Sequence, residues 1–236
     1  MPWKDNRMRI ATVADSLARL QQSGLKFGAV IDVGIQHATP VLIQTFPKLH
    51  HHLFEPIAEY TPFIQKNYAA VSYDLTEAAI TDFDGTLNLK SEKKTRGDEI
   101  SHSYIVNKAG QGTREVRALR LDTYFEAKPR PKAPYFLKID VEGPKVPSQI
   151  LNGARKVLQD TAVVMIEMTV NTFMERARLL DEMGFDVWDI CDLCYYDDCL
   201  WQVDVIFVQR TIKADIAALR PMDIKPMRKE LWQGSA

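Results

Sequence analysis

Short apolar segments rich in β-branched residues alternate with helical patterns along most of the chain, and this alternation constrains the fold more than any other feature. The first segment, 29–33, is almost entirely apolar and ends at Gly34, as expected of a strand covered by helices on both faces. Further strands are predicted at 52–54, 70–73, 135–140, 162–167, 185–190 and 203–208. The pattern indicates an α/β fold with a mostly parallel seven-stranded sheet, whose last two strands form an antiparallel edge.

The residues between these strands show the spacing of amphipathic helices. Helices are predicted over 10–20, 40–47, 57–68, 146–158 and 174–183. The segment from about 78 to 121 differs, because short alternating stretches are separated by turn signals such as Asp84-Gly85. We interpret it as a β-hairpin insertion and a candidate lid.

No linker or internal repeat divides the chain, so a single domain is predicted over 1–236. Within it we distinguish an N-terminal helical extension (1–27), the hairpin insertion and a C-terminal tail (210–236). The tail is mildly basic and amphipathic, and we expect it to pack on a subunit of a homo-oligomer rather than to bind nucleic acid.

Composition narrows the classes of function. The formal net charge of −1 gives no overall field that would attract nucleic acid or anionic lipid, so a small-molecule substrate is expected. No apolar run approaches the roughly 20 residues that span a bilayer, and the start of the chain leads into no apolar signal-peptide core. The three cysteines lie in one short stretch, which indicates reduced thiols. A cytoplasmic protein without a membrane span is expected.

Two residues suggest where a ligand binds. In open α/β sheets the ligand lies beyond the carboxyl ends of the strands, and the tight turn after the first strand presents backbone N–H groups to it. Gly34 is suited to that turn. Glu55 follows the second strand 21 positions later, where a carboxylate can accept hydrogen bonds from both hydroxyls of a ribose.

Several motifs extend this pattern in a fixed order. They are Val30-Ile31-Asp32-Val33-Gly34, Leu53-Phe54-Glu55-Pro56, Leu121-Asp122, Leu137-Lys138-Ile139-Asp140-Val141-Glu142-Gly143 and Leu151-Asn152-Gly153-Ala154. From about residue 29 to 209 the chain resembles the FkbM family of methyltransferases. The resemblance implies a Rossmann-like class I methyltransferase fold that binds S-adenosylmethionine, and an activity that mostly methylates hydroxyl groups of sugars or polyketide-type products.

With this resemblance, the predicted cofactor site follows the strand ends and the turn after the first strand. Its residues are Asp32, Gly34, Gln36, His37, Thr39, Glu55, Pro56, Glu77, Ala78 and Asp140. The turn departs from the family at Ala38, where a second glycine is usual, and Gln36 replaces the usual asparagine. An alternative is therefore a non-catalytic binding protein that retains the fold, and a nucleotide-dependent oxidoreductase is a more distant one.

Carboxylates near the ends of the fourth and fifth strands are candidates for catalysis. Asp140, Glu142 and Glu167, with Lys138, would lie beside the transferred methyl group. Methylation of a hydroxyl needs a general base or a metal that lowers the pKa of the hydroxyl, and clustered carboxylates could serve as the base or hold Mg²⁺. The alternative is a structural ion pair between Lys138 and a neighbouring carboxylate.

The run His50-His51-His52 resembles a metal-binding cluster, but consecutive strand residues point to opposite faces of a sheet, so all three cannot reach one ion. We interpret this run as a solvated entry to the second strand.

Overall fold

The computed structural model describes residues 11–93, 100–106 and 108–219. The helices are α1 (Val13–Gln22), α2 (Pro40–Thr45), α3 (Thr61–Asn67), α4 (Leu121–Glu126), α5 (Val146–Asn152), α6 (Arg155–Gln159), α7 (Phe173–Glu182) and α8 (Arg210–Asp215), with 3₁₀ turns at Ala58–Tyr60 and Ala217–Leu219. The strands are β1 (Ala29–Val33), β2 (His50–Phe54), β3 (Ser72–Thr76), β4 (Ala79–Ile80), β5 (Gly85–Lys93), β6 (Ile100–Val106), β7 (Thr113–Leu119), β8 (Tyr135–Ile139), β9 (Thr161–Thr169), β10 (Phe185–Tyr196) and β11 (Cys199–Gln209).

Seven strands form the central sheet in the order β10-β11-β9-β8-β1-β2-β3. The neighbours from β9 to β3 pair in parallel, whereas β11 runs antiparallel to both β9 and β10. The predicted α/β class, the seven-stranded sheet and its antiparallel edge are therefore confirmed.

Side chains alternate between the two faces of the central strands, and each face carries its own core. Ile31, Leu137 and Val164 belong to one buried cluster. Val30 and Phe136, the neighbours of two of these residues, belong to the cluster on the other face. This double burial explains why the central strands are almost continuously apolar in sequence.

The predicted hairpin insertion is also confirmed. β4, β5, β6 and β7 form a second, four-stranded sheet in the order β4-β7-β5-β6. β5 pairs antiparallel with both β6 and β7, while the short β4 pairs in parallel with β7. This second sheet reaches the carboxyl ends of the central strands, where it forms part of the cleft described below.

The helix predicted over 146–158 is divided into α5 and α6 near Gly153. A Cβ atom at Gly153 would lie 2.1 Å from the carbonyl oxygen of Thr81, so the chain approaches the insertion too closely for a larger residue. The Gly153 carbonyl in turn accepts a hydrogen bond from the Asp122 N–H at 3.0 Å. Tertiary contacts that the local pattern does not contain thus end α5.

The interpretation of the histidine run as a solvated entry is wrong. β2 is covered on both faces, so His51 is fully buried and His52 is 6% exposed. His51 lies within hydrogen-bond distance of the Phe46 carbonyl, and the His52 ring packs edge-on against Phe125. Burial lowers the pKa of His51 and lowers the pKa of His52 to about 4.

Two further expectations can be compared with the structure. Cys191, Cys194 and Cys199 are free thiols, as predicted. No helix among the residues that the structure describes is long and apolar enough to cross a membrane. Residues 1–10 of the N-terminal extension and residues 220–236 of the C-terminal tail lie outside the described residues.

Candidate active site

A cleft that is open to solvent lies at the carboxyl ends of β1, β2 and β8. The central sheet and its loops contribute Val33, Gly34, Gln36, Phe54, Glu55, Pro56, Ile57, Tyr60, Asp140, Val141, Glu142 and Val146. The insertion and the segment leading into it contribute Ala78, Ala79, Ile80, Leu89, Ser103 and Ile105. The cleft therefore has a polar floor at the strand ends and a more apolar wall on the side of the insertion.

Gly34 is required by the geometry of the floor. Its φ of +83° lies in the left-handed region that favours glycine. A Cβ atom at this position would lie 1.9 Å from the carbonyl oxygen of Asp140, so the turn after β1 and the end of β8 are in backbone contact. The Asp140 N–H also donates to the Val33 carbonyl at 3.0 Å. This contact brings Gly34 and Asp140 to the same part of the cleft.

The Glu55 carboxylate lies directly after β2, the strand next to β1. It is 4% exposed and accepts hydrogen bonds from the backbone N–H groups of Gln36 at 2.9 Å and Ile57 at 3.0 Å. Burial raises the pKa of Glu55 to about 7, although these two hydrogen bonds and the charge of Lys138 oppose the shift. Each carboxylate oxygen has two lone pairs, so the group can accept further hydrogen bonds from a ligand.

Lys138 lies below the floor of the cleft, between two carboxylates. Its Nζ is 3.4 Å from Asp32 Oδ1 and 3.1 Å from Asp140 Oδ2, and it donates to the Gly34 carbonyl at 3.3 Å. Burial alone would lower the pKa of Lys138, but the charges of Asp32 and Asp140 reverse this and hold it above its usual range. At 6% exposure Lys138 is not among the residues that line the cleft. The predicted catalytic lysine thus lies in an ion-pair network that supports the turn.

The fully buried Asp32 connects this network to helix α3. Tyr68 donates its hydroxyl proton to Asp32 Oδ2 at 3.3 Å and accepts a hydrogen bond from the Thr39 N–H at 3.1 Å. Burial, with the charge of Asp32, raises the pKa of Tyr68 above its usual range. Asp32 and Thr39, both predicted to bind the cofactor, therefore lie behind the turn and support its backbone.

Of the other residues of the turn, Gln36 lines the cleft, whereas His37 and Ala38 are not among the lining residues. The His37 ring lies against Tyr60 and Phe63, with ring centroids 4.8 Å and 4.5 Å away. Ala38 packs against a hydrophobic cluster that includes Ile35. The methyl group at the position of the usual glycine is thus accommodated by packing.

Glu77 and Ala78 follow β3 and lie in different environments. Ala78 is buried and lines the cleft, as does Pro56 at the end of β2. Glu77 is exposed and accepts a hydrogen bond from the Thr61 hydroxyl at 2.7 Å. Glu77 is therefore not among the residues that line the cleft.

The predicted catalytic carboxylates lie close enough to influence one another. Burial, followed by the charges of Asp140, Asp204 and Glu142, raises the pKa of Glu167 to about 7. Burial, followed by the charge of Asp140, also raises the pKa of Asp204 to about 6. Asp140 and Glu142 line the cleft, whereas Glu167 and Asp204, which pair in register on β9 and β11, are not among the lining residues.

Two neighbours of Glu167 were missed by the sequence analysis. Gln202 donates from its side chain to Glu167 Oε2 at 2.8 Å. Asp204 interrupts the apolar run 203–208, and a charged residue inside a buried strand was the signal that could have indicated it. No feature of the sequence indicates Gln202, because its position beside Glu167 follows from the register between β9 and β11.

Arg176, on helix α7, is a third missed residue. It is 4% exposed and donates to the carbonyl oxygens of Glu167 at 2.7 Å, Gly143 at 3.4 Å and Pro144 at 3.3 Å. One buried guanidinium thus ties the loop after β8 to β9. This loop carries Glu142 at the edge of the cleft.

The carboxylates of the cleft do not form a compact metal site. Among the residues that the structure describes, the one group of three ligand-type side chains with atoms within 4.8 Å of one another is His50, His52 and Asp74. That group lies outside the lining of the cleft. The Mg²⁺ suggested for the carboxylates near Asp140 has no support in this geometry.

Comparison with models of known protein families shows which family the chain belongs to. The model of the methyltransferase FkbM domain matches residues 27–187, which is more than half of the chain. The chain belongs to the FkbM methyltransferase family. A comparison with curated proteins finds no match for this FkbM methyltransferase.

Solved structures with a similar fold include several methyltransferases. The METTL16 methyltransferase domain has a TM-score of 0.50 at 11% identity, over 84% of this chain and 64% of that one. Magnesium protoporphyrin IX methyltransferase (ChlM) from Synechocystis PCC 6803, with bound SAM, has a TM-score of 0.46 at 8% identity, over 83% and 77%. An rRNA methylase from Streptococcus thermophilus has 0.45 at 9%, over 85% and 99%. At these identities the similarity concerns the fold of this FkbM methyltransferase.

Proposed function

We propose that the protein is an S-adenosylmethionine-dependent methyltransferase that acts on a hydroxyl group of a sugar or another small molecule. The observation that carries the proposal is that Gly34, Glu55 and Asp140, from three adjacent strand ends, line one cleft. This is where open α/β sheets bind their ligands.

The residues of the cleft fit the three parts of the cofactor. The backbone of Gly34 leaves room for the methionine part, because the position has no side chain. The Glu55 carboxylate is available to the ribose hydroxyls. Ile57, Ala78 and Ile80 provide an apolar wall suited to an adenine ring.

S-adenosylmethionine, when bound, supplies a methyl group activated by its positive sulfur. The protein must hold the acceptor hydroxyl in line with that methyl group and receive the hydroxyl proton. We assign the orienting contact to Asp140, which lines the cleft. We assign the proton to the Glu167 carboxylate, which is not among the lining residues but is close enough to Asp140 for their charges to interact. A pKa of about 7 suits Glu167 to act as a general base near neutral pH.

Neighbouring residues support these two roles. The hydrogen bond from Gln202 orients one oxygen of Glu167, and we assign the other oxygen to the acceptor. Glu142, on the loop tied down by Arg176, adds negative charge at the same edge. Lys138 acts as a positioning residue, since it holds Asp140 and the Gly34 turn.

Charge supports this proposal for the chemical class of the acceptor. Asp140, Glu142 and Glu167 would repel the phosphates of a nucleic acid, and the net charge of −1 provides no compensating field. A neutral hydroxylated small molecule suits the site better. The insertion, through Leu89, Ser103 and Ile105, would serve as the lid that keeps water from the reacting groups.

The proposal can be tested with S-adenosylmethionine carrying a labelled methyl group and a panel of neutral glycosides and polyketide lactones. We expect labelled ether products with the wild type and a loss of rate of about 10²-fold or more in Glu167→Gln and Asp140→Asn. Glu182→Ala, a change of an exposed glutamate on α7, is the control. Cofactor binding without methyl transfer to any hydroxyl would instead favour the non-catalytic binding protein.

A further inference from the structure

We propose that His50, His52 and Asp74 form a binding site for a zinc-like transition metal ion, separate from the cleft. One ring nitrogen of each histidine and one Asp74 oxygen lie within 4.8 Å of one another. None of these three residues is among those that line the cleft.

The parallel pairing of β2 and β3 produces this cluster. His50 and His52 are two positions apart on β2, so they share one face of the sheet. Asp74 pairs in register with His52 on the neighbouring strand. His51 points to the other face, so the sequence argument that three consecutive histidines cannot share one ion holds, but two of them can.

The distances suit a tetrahedral ion after a small contraction. Zinc binds imidazole nitrogen and carboxylate oxygen at about 2.0–2.2 Å, which places its ligand atoms roughly 3.4 Å apart. His50 Nε2 lies 3.8 Å from Asp74 Oδ2, and both side chains are more than one third exposed and free to adjust. Two imidazoles with one carboxylate favour zinc over Mg²⁺ or Ca²⁺, which prefer oxygen ligands.

His52 provides the buried part of the site. It is 6% exposed, and its Nε2 has no hydrogen-bond partner among the residues that the structure describes. Its other nitrogen, Nδ1, is 3.3 Å from the Tyr124 hydroxyl. A metal ion on either nitrogen would find an imidazole whose orientation the core already fixes, which lowers the ordering cost of binding.

Lys128 occupies the position beside Asp74 that the proposed metal ion would take. Its Nζ donates to Asp74 Oδ2 at 3.0 Å and to the Tyr124 hydroxyl at 2.9 Å. The side chain is 42% exposed, so the ammonium group can move into solvent. We infer that Lys128 and the metal ion compete for Asp74, and that the ion, when bound, cross-links β2 to β3.

The test uses metal-free, untagged protein titrated with ZnCl₂ by calorimetry. A Cys194→Ser/Cys199→Ser background is used because both thiols are exposed and cysteine is a common zinc ligand. We expect one zinc ion per chain and a higher melting temperature that a chelator reverses. A Co²⁺-substituted sample should show a tetrahedral spectrum without thiolate charge transfer.

Three variants distinguish this site from adventitious binding. Asp74→Asn and His50→Gln should each weaken zinc binding by more than about tenfold, the lower bound seen when a residue that merely orients a metal ligand is lost. Lys128→Gln should strengthen it, a gain that partial unfolding cannot mimic. Asp160→Asn is the matched control, because Asp160 is also paired with a basic residue, Arg130, and is similarly exposed.

Zinc binding that is absent in the wild type, or unchanged in Asp74→Asn, would overturn the proposal. So would zinc binding that is weaker or unchanged in Lys128→Gln. These outcomes are independent of the methyltransferase assignment, because zinc binding is measured without the cofactor.

Discussion

The Glu55 carboxylate accepts a hydrogen bond from the Gln36 N–H at 2.9 Å, so the end of β2 holds the turn that follows β1. Gln36 has a φ of +47°, in the left-handed region that residues other than glycine seldom adopt. The carboxylate proposed to bind ribose therefore also fixes the turn proposed to bind the methionine part. A substitution of Glu55 should therefore also change the conformation of the turn, and a substitution of Gln36 should also change the position of the Glu55 carboxylate.

Gly34→Ala should destabilise the protein more than a left-handed backbone alone explains. Gly24 is the matched control, because its φ of +85° is close to the +83° of Gly34, but a Cβ atom at Gly24 meets open space. Gly24→Ala should cost about 1–2 kcal/mol from the backbone conformation. Gly34→Ala should cost more, because its Cβ would collide with the Asp140 carbonyl, and it should abolish cofactor binding. Equal free energies of unfolding in urea would contradict this account.

Lys138→Met should cost about 3–5 kcal/mol, because it leaves the fully buried Asp32 without its cationic partner. The double variant Asp32→Asn/Lys138→Met removes both charges and should recover part of that loss. Urea unfolding of the two single variants and the double variant measures the coupling. If the double variant is as unstable as the sum of the single ones, Lys138 is not the partner that compensates Asp32.

Much of the fold could be predicted from the sequence because the central strands carry their own signal. β1 is the clearest case: five buried residues followed by a glycine give both its bounds and its place in a parallel sheet. The break at Gly153 and the cluster of His50 with Asp74 could not be predicted, since each depends on a partner remote in sequence.

The candidate site was predicted in part for the same reason. Gly34, Glu55 and Asp140 are indicated by their places at strand ends, and all three line the cleft. Lys138 belongs to the same motif, yet the alternation of side chains does not reveal that it is enclosed by Asp32 and Asp140. Asp204 reaches Glu167 only through the antiparallel register of β11 and β9.

Glu167→Gln should stabilise the protein at pH 8 relative to the wild type and have a much smaller effect at pH 5. Burial raises the pKa of Glu167 from 4.5 to about 7, so the native state binds more protons than the unfolded state between these values. The stability contributed by protonated Glu167 is therefore lost as pH rises towards 7. Glutamine mimics the protonated form and can still accept from Gln202.

Melting temperatures of both proteins across this pH range provide the measurement. Each kcal/mol that the buried charge costs should raise the melting temperature of the variant by roughly 2–4 °C. Using the difference between the two proteins removes the opposite contribution of His52, whose pKa is lowered. A difference that does not change with pH would show that Glu167 ionises normally.

Affinity for S-adenosylmethionine should rise as pH increases through about 7. Burial raises the pKa of Glu55 to about 7, and the ionised carboxylate is the form that accepts from both ribose hydroxyls. Below that pH the ionised fraction of Glu55 falls by about tenfold per pH unit. Because the cofactor binds the ionised form, binding should be weaker there and should release a proton from Glu55.

Calorimetry at pH 6.5 in two buffers of different ionisation enthalpy measures the proton release directly. Glu55→Gln should show weaker binding and lose this proton release. Proton release that persists unchanged in Glu55→Gln would assign the pH dependence to another group.

The central claim is that the cleft between Gly34, Glu55 and Asp140 holds the cofactor, and calorimetric titration of the purified protein at pH 8 tests it most directly. We predict that S-adenosylmethionine and S-adenosylhomocysteine each bind with one site per chain. Glu55→Ala should weaken both by about 10- to 150-fold, the equivalent of about 1.5–3 kcal/mol for a hydrogen bond to a charged group, while Glu182→Ala binds as the wild type does. Absence of binding to either compound, or wild-type affinity in Glu55→Ala, would contradict it.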